Sequence, residues 1–153
     1  MELKIVNPNV VGIDIADTEI QVCVPVDRDE ENNRMFGSFT CELKLISEWL
    51  RDCGITTVAM EATGIYCIPL FFKLEADGID VQLVNAREAK NISEKKTDEA
   101  HAEWLMLLHC YGLLKPSFQP ENSARQVRHL CRHRNNLFRA AAKEVQHMQK
   151  TMG

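Results

Sequence analysis

Two carboxylates stand at the ends of short apolar runs: Asp14 in Gly12-Ile13-Asp14-Ile15-Ala16, and Glu61 in Met60-Glu61-Ala62-Thr63-Gly64. A strand over residues 10–15 turns Asp14 to one face, because side chains alternate along an extended backbone. A second strand over residues 56–60 delivers Glu61 at its exit, just before a Gly turn. The apolar flanks make an unpaired carboxylate costly at either position. Two acids on neighbouring strand ends suit a hard divalent cation such as Mg²⁺, and the chain offers no obvious electrophile of its own. The chemistry this implies is metal-assisted attack on a phosphodiester, with water or a 3′-hydroxyl as nucleophile.

The bulk sequence is compatible with that reading. With 153 residues, 45% hydrophobic and 26% charged, the chain is of single-domain size and of ordinary globular composition. It contains no apolar run long enough to span a bilayer and no secretion-signal layout at its start, so the expected location is cytoplasmic with no membrane partner. The six cysteines lack any Cys-x-x-Cys pair and read as small buried hydrophobes. His129-x-Cys131-x-His133 is the nearest approach to a zinc motif and reads instead as a wet helix face. The net charge of −4 is unevenly spread: residues 121–153 carry seven Lys/Arg against two Glu, while residues 1–120 are strongly acidic. A basic tail of this kind suggests nucleic-acid contact through Arg125, Arg128 and Arg132.

The elements that must position these residues follow from the hydrophobic pattern. Residues 10–16 and 19–26 are β-branched runs separated by Asp17-Thr18, which predicts a hairpin. Residues 27–33 are polar and read as a loop, and 34–40 as a third strand. Leu43, Ile46, Trp49 and Leu50 recur at helical spacing, with Gly54 where a helix would stop. Strand four covers 56–60. A helix over 66–76 carries Pro69 in its first turn, where proline is tolerated; strand five covers 81–84. A short helix over 86–93 and the charged turn Glu94-Lys95-Lys96 precede a helix over 98–111 with Thr97 as N-cap. Residues 112–120 form a linker, and 121–148 a long polar helix. That helix carries a narrow stripe of Val127, Leu130, Leu137, Ala141, Val145 and Met148, interrupted by Arg134, as in a coiled coil. It predicts a homo-oligomer formed through the C-terminal helix. The resulting order, β-β-β-α-β-α-β-α, matches an α/β ribonuclease-H-like mixed five-stranded sheet with flanking helices.

Gly12-Ile13-Asp14, Met60-Glu61-Ala62-Thr63-Gly64-Ile65-Tyr66 and Lys96-Thr97-Asp98 together resemble the DEDD-type transposases of bacterial insertion sequences, the IS-one-ten group, which includes the pilin-gene inverting recombinases. The resemblance implies a RuvC-like domain over 1–115 whose three Asp and one Glu bind Mg²⁺, and the start of a coiled coil over 121–153. It further implies DNA as substrate and a structured guide RNA as partner. The second, serine-bearing domain of that family has no counterpart here, which suggests a natural or cut fragment. Asp14, Glu61 and Asp98 fall on the family's first three acidic positions. The fourth, three residues after Asp98, is His101. Imidazole can ligate a metal or act as a base near neutral pH, but the loss of one negative charge would move preference from Mg²⁺ towards Mn²⁺. Lys95 and Lys96, beside the cluster, are candidates for phosphate contact.

Two other readings are open on the sequence. The His101 change would also suit a non-catalytic, dimerising, nucleic-acid-holding remnant of such a transposase. A sugar kinase of the ASKHA type shares the Gly-Ile-Asp opening, but this chain has no second lobe and no further glycine-rich phosphate loop.

Overall fold

The computed structural model describes residues 4–85, 98–115 and 122–153; the side chains of residues 98, 99 and 122 fall outside that description. The chain divides into two compact units, Met1–Ser117 and Phe118–Gly153. In the first, the elements are β1 (Val10–Ile15), β2 (Glu19–Cys23), β3 (Asn33–Gly37), α1 (Thr40–Asp52), β4 (Thr57–Glu61), α2 (Ile68–Ala76), β5 (Asp80–Val84) and α3 (Asp98–Cys110). The second consists of α4 (Asn122–Met152). The short helix expected over 86–93, the charged turn and the proposed cap Thr97 lie outside the described residues.

The five strands form one sheet in the order β3-β2-β1-β4-β5. β1, β2 and β3 make an antiparallel meander, its first turn closed by Ala16 N–H donating to the Glu19 carbonyl at 2.9 Å. β4 and β5 then add in parallel on the other side of β1. This mixed sheet follows from connection length: Asp17-Thr18 can only reverse the chain, whereas the stretch from β3 to β4 contains a helix and can cross over. Gly54 and Gly78 end α1 and α2 with φ of 69° and 82°, the left-handed conformation that glycine adopts without a Cβ penalty.

The sheet is covered on both faces. One face carries α1 and α2 over the main core, built from Val11, Ile13, Ile15, Val22, Val58 and Met60 against Ile46, Leu50, Leu70 and Leu74. α3 covers the opposite face, where Val10 and Cys23 pack on Ala102 and Met106, and Ala59 and Val84 on Leu105. The polar loop after β2 is more than solvated connection. Asp29 accepts hydrogen bonds from the Trp49 indole at 2.9 Å and from Arg34, whose guanidinium lies 4.5 Å from the centre of the Trp49 ring. Cys23, Cys53 and Cys67 are buried as expected; Cys41, on α1, and Cys131, on α4, are exposed. No helix among the described residues is long and apolar enough to cross a membrane.

Candidate metal centre

Alternation along two central strands sorts their side chains. In β1, Val11, Ile13 and Ile15 enter the core under α1 and α2, which leaves Val10, Gly12 and Asp14 facing α3. In β4, Val58 and Met60 enter the same core, which leaves Thr57, Ala59 and Glu61 on the α3 side. The parallel register pairs Gly12 with Ala59 and Ile13 with Met60, so Asp14 and Glu61 emerge next to each other at one end of the sheet. β4 runs one residue further than its sequence pattern indicated. Glu61 is its last residue, in register with Val84 and buried, rather than at the strand's exit.

α3 completes the cluster. Its buried stripe is Ala102, Leu105, Met106, Leu108 and His109, and its second turn places His101 over the two acids. One ligand atom each from Asp14, Glu61 and His101 lies within 4.8 Å of the others. His101 Nε2 is hydrogen-bonded to Glu61 Oε2, and these side chains are only 12% and 5% exposed. Asp14 is half-buried and borders a shallow depression lined by Ala16, Glu19 and Gln21, so the cluster is closed on the helix side and reachable from beside β2.

The approach of α3 depends on Gly12. A Cβ built there would lie 2.0 Å from the Ala102 carbonyl oxygen and 2.5 Å from the Met106 amide nitrogen. No side chain fits, so the helix backbone rests directly on β1. Further along α3, His109 Nε2 hydrogen-bonds the Thr57 hydroxyl at 2.9 Å, while its backbone carbonyl accepts from the Asn7 amide at 2.9 Å. Burial holds the His109 imidazole below its ordinary value, and the nearby Asp80 charge only partly opposes this.

The donor set fits a hard divalent cation. Glu61 is a carboxylate removed from water, which requires a proton, a cation or a charge-assisted partner to compensate. Two carboxylates and one imidazole can hold Mg²⁺ or Mn²⁺, and the nitrogen donor favours the latter.

Of the residues singled out in the sequence, Asp14, Glu61 and His101 therefore converge. Asp98 opens α3 three residues before His101, but its side chain lies outside the described residues. Lys95 and Lys96 lie there too. Arg128 and Arg132 are exposed on α4 and Arg125 is half-buried. The sequence reading passed over Gly12 as a packing residue, Ala102 as its counterpart, and the His109–Thr57 pair. A Gly in the middle of a β-branched strand was the available signal for the first.

The fold has counterparts. RuvC of T. thermophilus, solved in complex with a Holliday junction substrate, superposes with a TM-score of 0.52 at 14% identity, covering 71% of this chain and 98% of that one. The likeness establishes a RuvC-like, ribonuclease-H-like fold. No curated protein sequence matches the chain. A family profile described as transposase, of the IS110 DEDD type, matches residues 11–153. With the profile spanning nearly the whole chain over a RuvC-like sheet, the protein belongs to the IS110-type DEDD transposase family.

Proposed function

We propose that residues 1–115 form the metal-dependent catalytic domain for DNA strand cleavage and transfer in this transposase, and that residues 121–153 begin a coiled coil through which copies associate. The observation that supports it is the convergence of Asp14, Glu61 and His101, distant in sequence, at one end of the sheet. Asp14, Glu61, Asp98 and His101 would hold Mg²⁺ or Mn²⁺. The ion supplies Lewis acidity and a nucleophile activated at neutral pH.

The chain's own residues have separate tasks. Asp14, beside the open depression, faces the scissile phosphate. Glu61 is fixed by burial and by its bond to His101, so it keeps one orientation. His101, on α3, orients the Glu61 carboxylate through Nε2 and completes the donor set with its imidazole. Lys95, Lys96, Arg125, Arg128 and Arg132 contact phosphates. A structured RNA guides target choice in the full protein, which acts in the cytoplasm, where its free thiols stay reduced. Self-association rests on the apolar stripe of α4, to which Phe138 adds: Leu130, Leu137 and Phe138 are 58–68% exposed.

The direct His101–Glu61 bond also favours a second reading. It satisfies both groups without an ion, as a non-catalytic, dimerising, nucleic-acid-holding remnant would require. Mn²⁺ titration by calorimetry, alongside nicking of supercoiled and branched DNA, separates the two. The catalytic reading expects saturable binding that Asp14→Asn and Glu61→Gln abolish. Unchanged titration curves in both variants would remove these residues from a metal site.

A further inference from the structure

The cations of α4 occupy one side of the helix. At about 100° per residue, Arg125, Arg128, Arg132, Arg139, Lys143 and Lys150 fall within an arc of about 60°. Arg125 is half-buried; the other five are exposed. The apolar residues Val127, Leu130, Leu137, Val145, Met148 and Met152 lie around the opposite side, all exposed. Arg134 is the one cation among them. Glu144, the helix's single acid, lies outside the basic arc.

A helix that is merely solvated gains from opposite charges four residues apart. Here Arg128–Arg132 and Arg139–Lys143 are like-charged at that spacing, which destabilises a helix left in solvent. A polyanion along the arc reverses the sign of that effect. From Arg128 to Lys150 the helix rises about 33 Å, close to the ~34–36 Å of one turn of B-form DNA.

We propose that the basic side of α4 is a sequence-independent binding surface for duplex DNA, holding its phosphates while the opposite apolar side pairs with a second copy of the helix. This rests on the nucleic-acid reading of Arg125, Arg128 and Arg132 and extends it over the full helix to Arg139, Lys143 and Lys150. It does not depend on the metal centre.

The test is fluorescence anisotropy of an arbitrary-sequence DNA duplex with the full chain, titrated against salt in the presence of EDTA. Chelation keeps its outcome separate from that of the cleavage reading. The triple variant Arg139→Gln, Lys143→Gln, Lys150→Gln should lower the slope of log affinity against log salt by about three. At 0.1 M salt it should weaken binding by nearly three orders of magnitude. The charge-keeping variant Arg139→Lys, Lys143→Arg, Lys150→Arg should retain the slope, as should Arg134→Gln; circular dichroism confirms that the helix persists. An unchanged slope in the triple variant overturns the proposal. So does an equal loss per charge in Arg134→Gln, which would mean net charge rather than a surface. Tighter binding of an RNA hairpin than of the duplex, or an effect of the triple variant on sedimentation alone, also overturns it.

Discussion

Gly12 and Ala102 are in backbone contact: a methyl group on the first would sit 2.0 Å from the carbonyl oxygen of the second. The strand that carries Asp14 and the helix that carries His101 are thereby held at a separation no other residue at position 12 permits. Gly12→Ala must push α3 off the sheet or distort β1, at a cost of about 2–3 kcal/mol or more. Chemical denaturation measures the loss. Mn²⁺ affinity should fall with it, because His101 moves away from Glu61. Stability equal to that of the parent would show that the helix does not depend on this contact.

Removing the ligands should separate chemistry from folding. Asp14→Asn is half-buried and outside the apolar core, so the variant should fold while its Mn²⁺ affinity falls by more than the ~10–100-fold typical of losing an outer partner of a ligand. Parallel thermal melts and calorimetric titrations supply both readings.

His101→Asp restores a fourth carboxylate on α3 three residues after Asp98. The added oxygen donor and negative charge favour harder ions. The expected result is a shift of the Mg²⁺/Mn²⁺ affinity ratio towards Mg²⁺ by roughly tenfold, on the order of 1.4 kcal/mol. An unchanged ratio would place His101 outside the coordination sphere. His101→Ala, by contrast, removes the hydrogen bond from His101 to the buried Glu61 carboxylate and should cost about 1–3 kcal/mol of stability.

His109 sets a pH dependence of its own. Burial depresses its pKa in the folded chain below the ordinary 6.5, so the unfolded chain takes up a proton first as pH falls. Above 6.5 both states hold a neutral imidazole, and this group contributes no pH dependence. Below 6.5 stability declines, and the decline levels off once pH passes the folded value. Denaturation midpoints measured from pH 8 down to pH 5 should show this fall, and His109→Gln should flatten it. Asp29 and Asp77, held below 3.8 by hydrogen bonds from Trp49 and from Lys73 and Ser47, act only at lower pH.

The cysteines offer a direct check of the fold. Cys41 and Cys131 are exposed, Cys53 and Cys67 are buried, and desolvation pushes the Cys23 thiol up to about 12. A thiol reagent at pH 8 should modify Cys41 and Cys131 rapidly in the native chain, Cys110 more slowly, and Cys23 only on unfolding. Mass spectrometry of the labelled peptides reads the order. Rapid labelling of Cys23 would mean that α3 does not cover β2.

Pairing through α4 predicts that Leu137→Glu, which puts a charge in the centre of the apolar stripe, yields a monomer by sedimentation velocity at concentrations where the parent associates. A parent chain that is monomeric throughout would contradict the coiled-coil reading.

The sequence determined the elements and the donor types by itself. Alternating β-branched residues, the two-residue Asp17-Thr18 reversal, the helical spacing of Leu43, Ile46, Trp49 and Leu50, and glycines at helix ends are local signals, each legible within about a dozen residues. They foretold the strand and helix order and marked Asp14 and Glu61, while His101 was singled out only through the resemblance to the transposase family. Only the tertiary structure decided that those three meet. Their convergence needs the parallel pairing of β1 with β4, the shared parity of Asp14 and Glu61 across that register, and the docking of α3 on a glycine ninety residues earlier in the chain. None of these is encoded in any one segment. Register and helix seating are settled by where the whole sheet can bury its apolar faces, so the cluster exists only once both layers have closed.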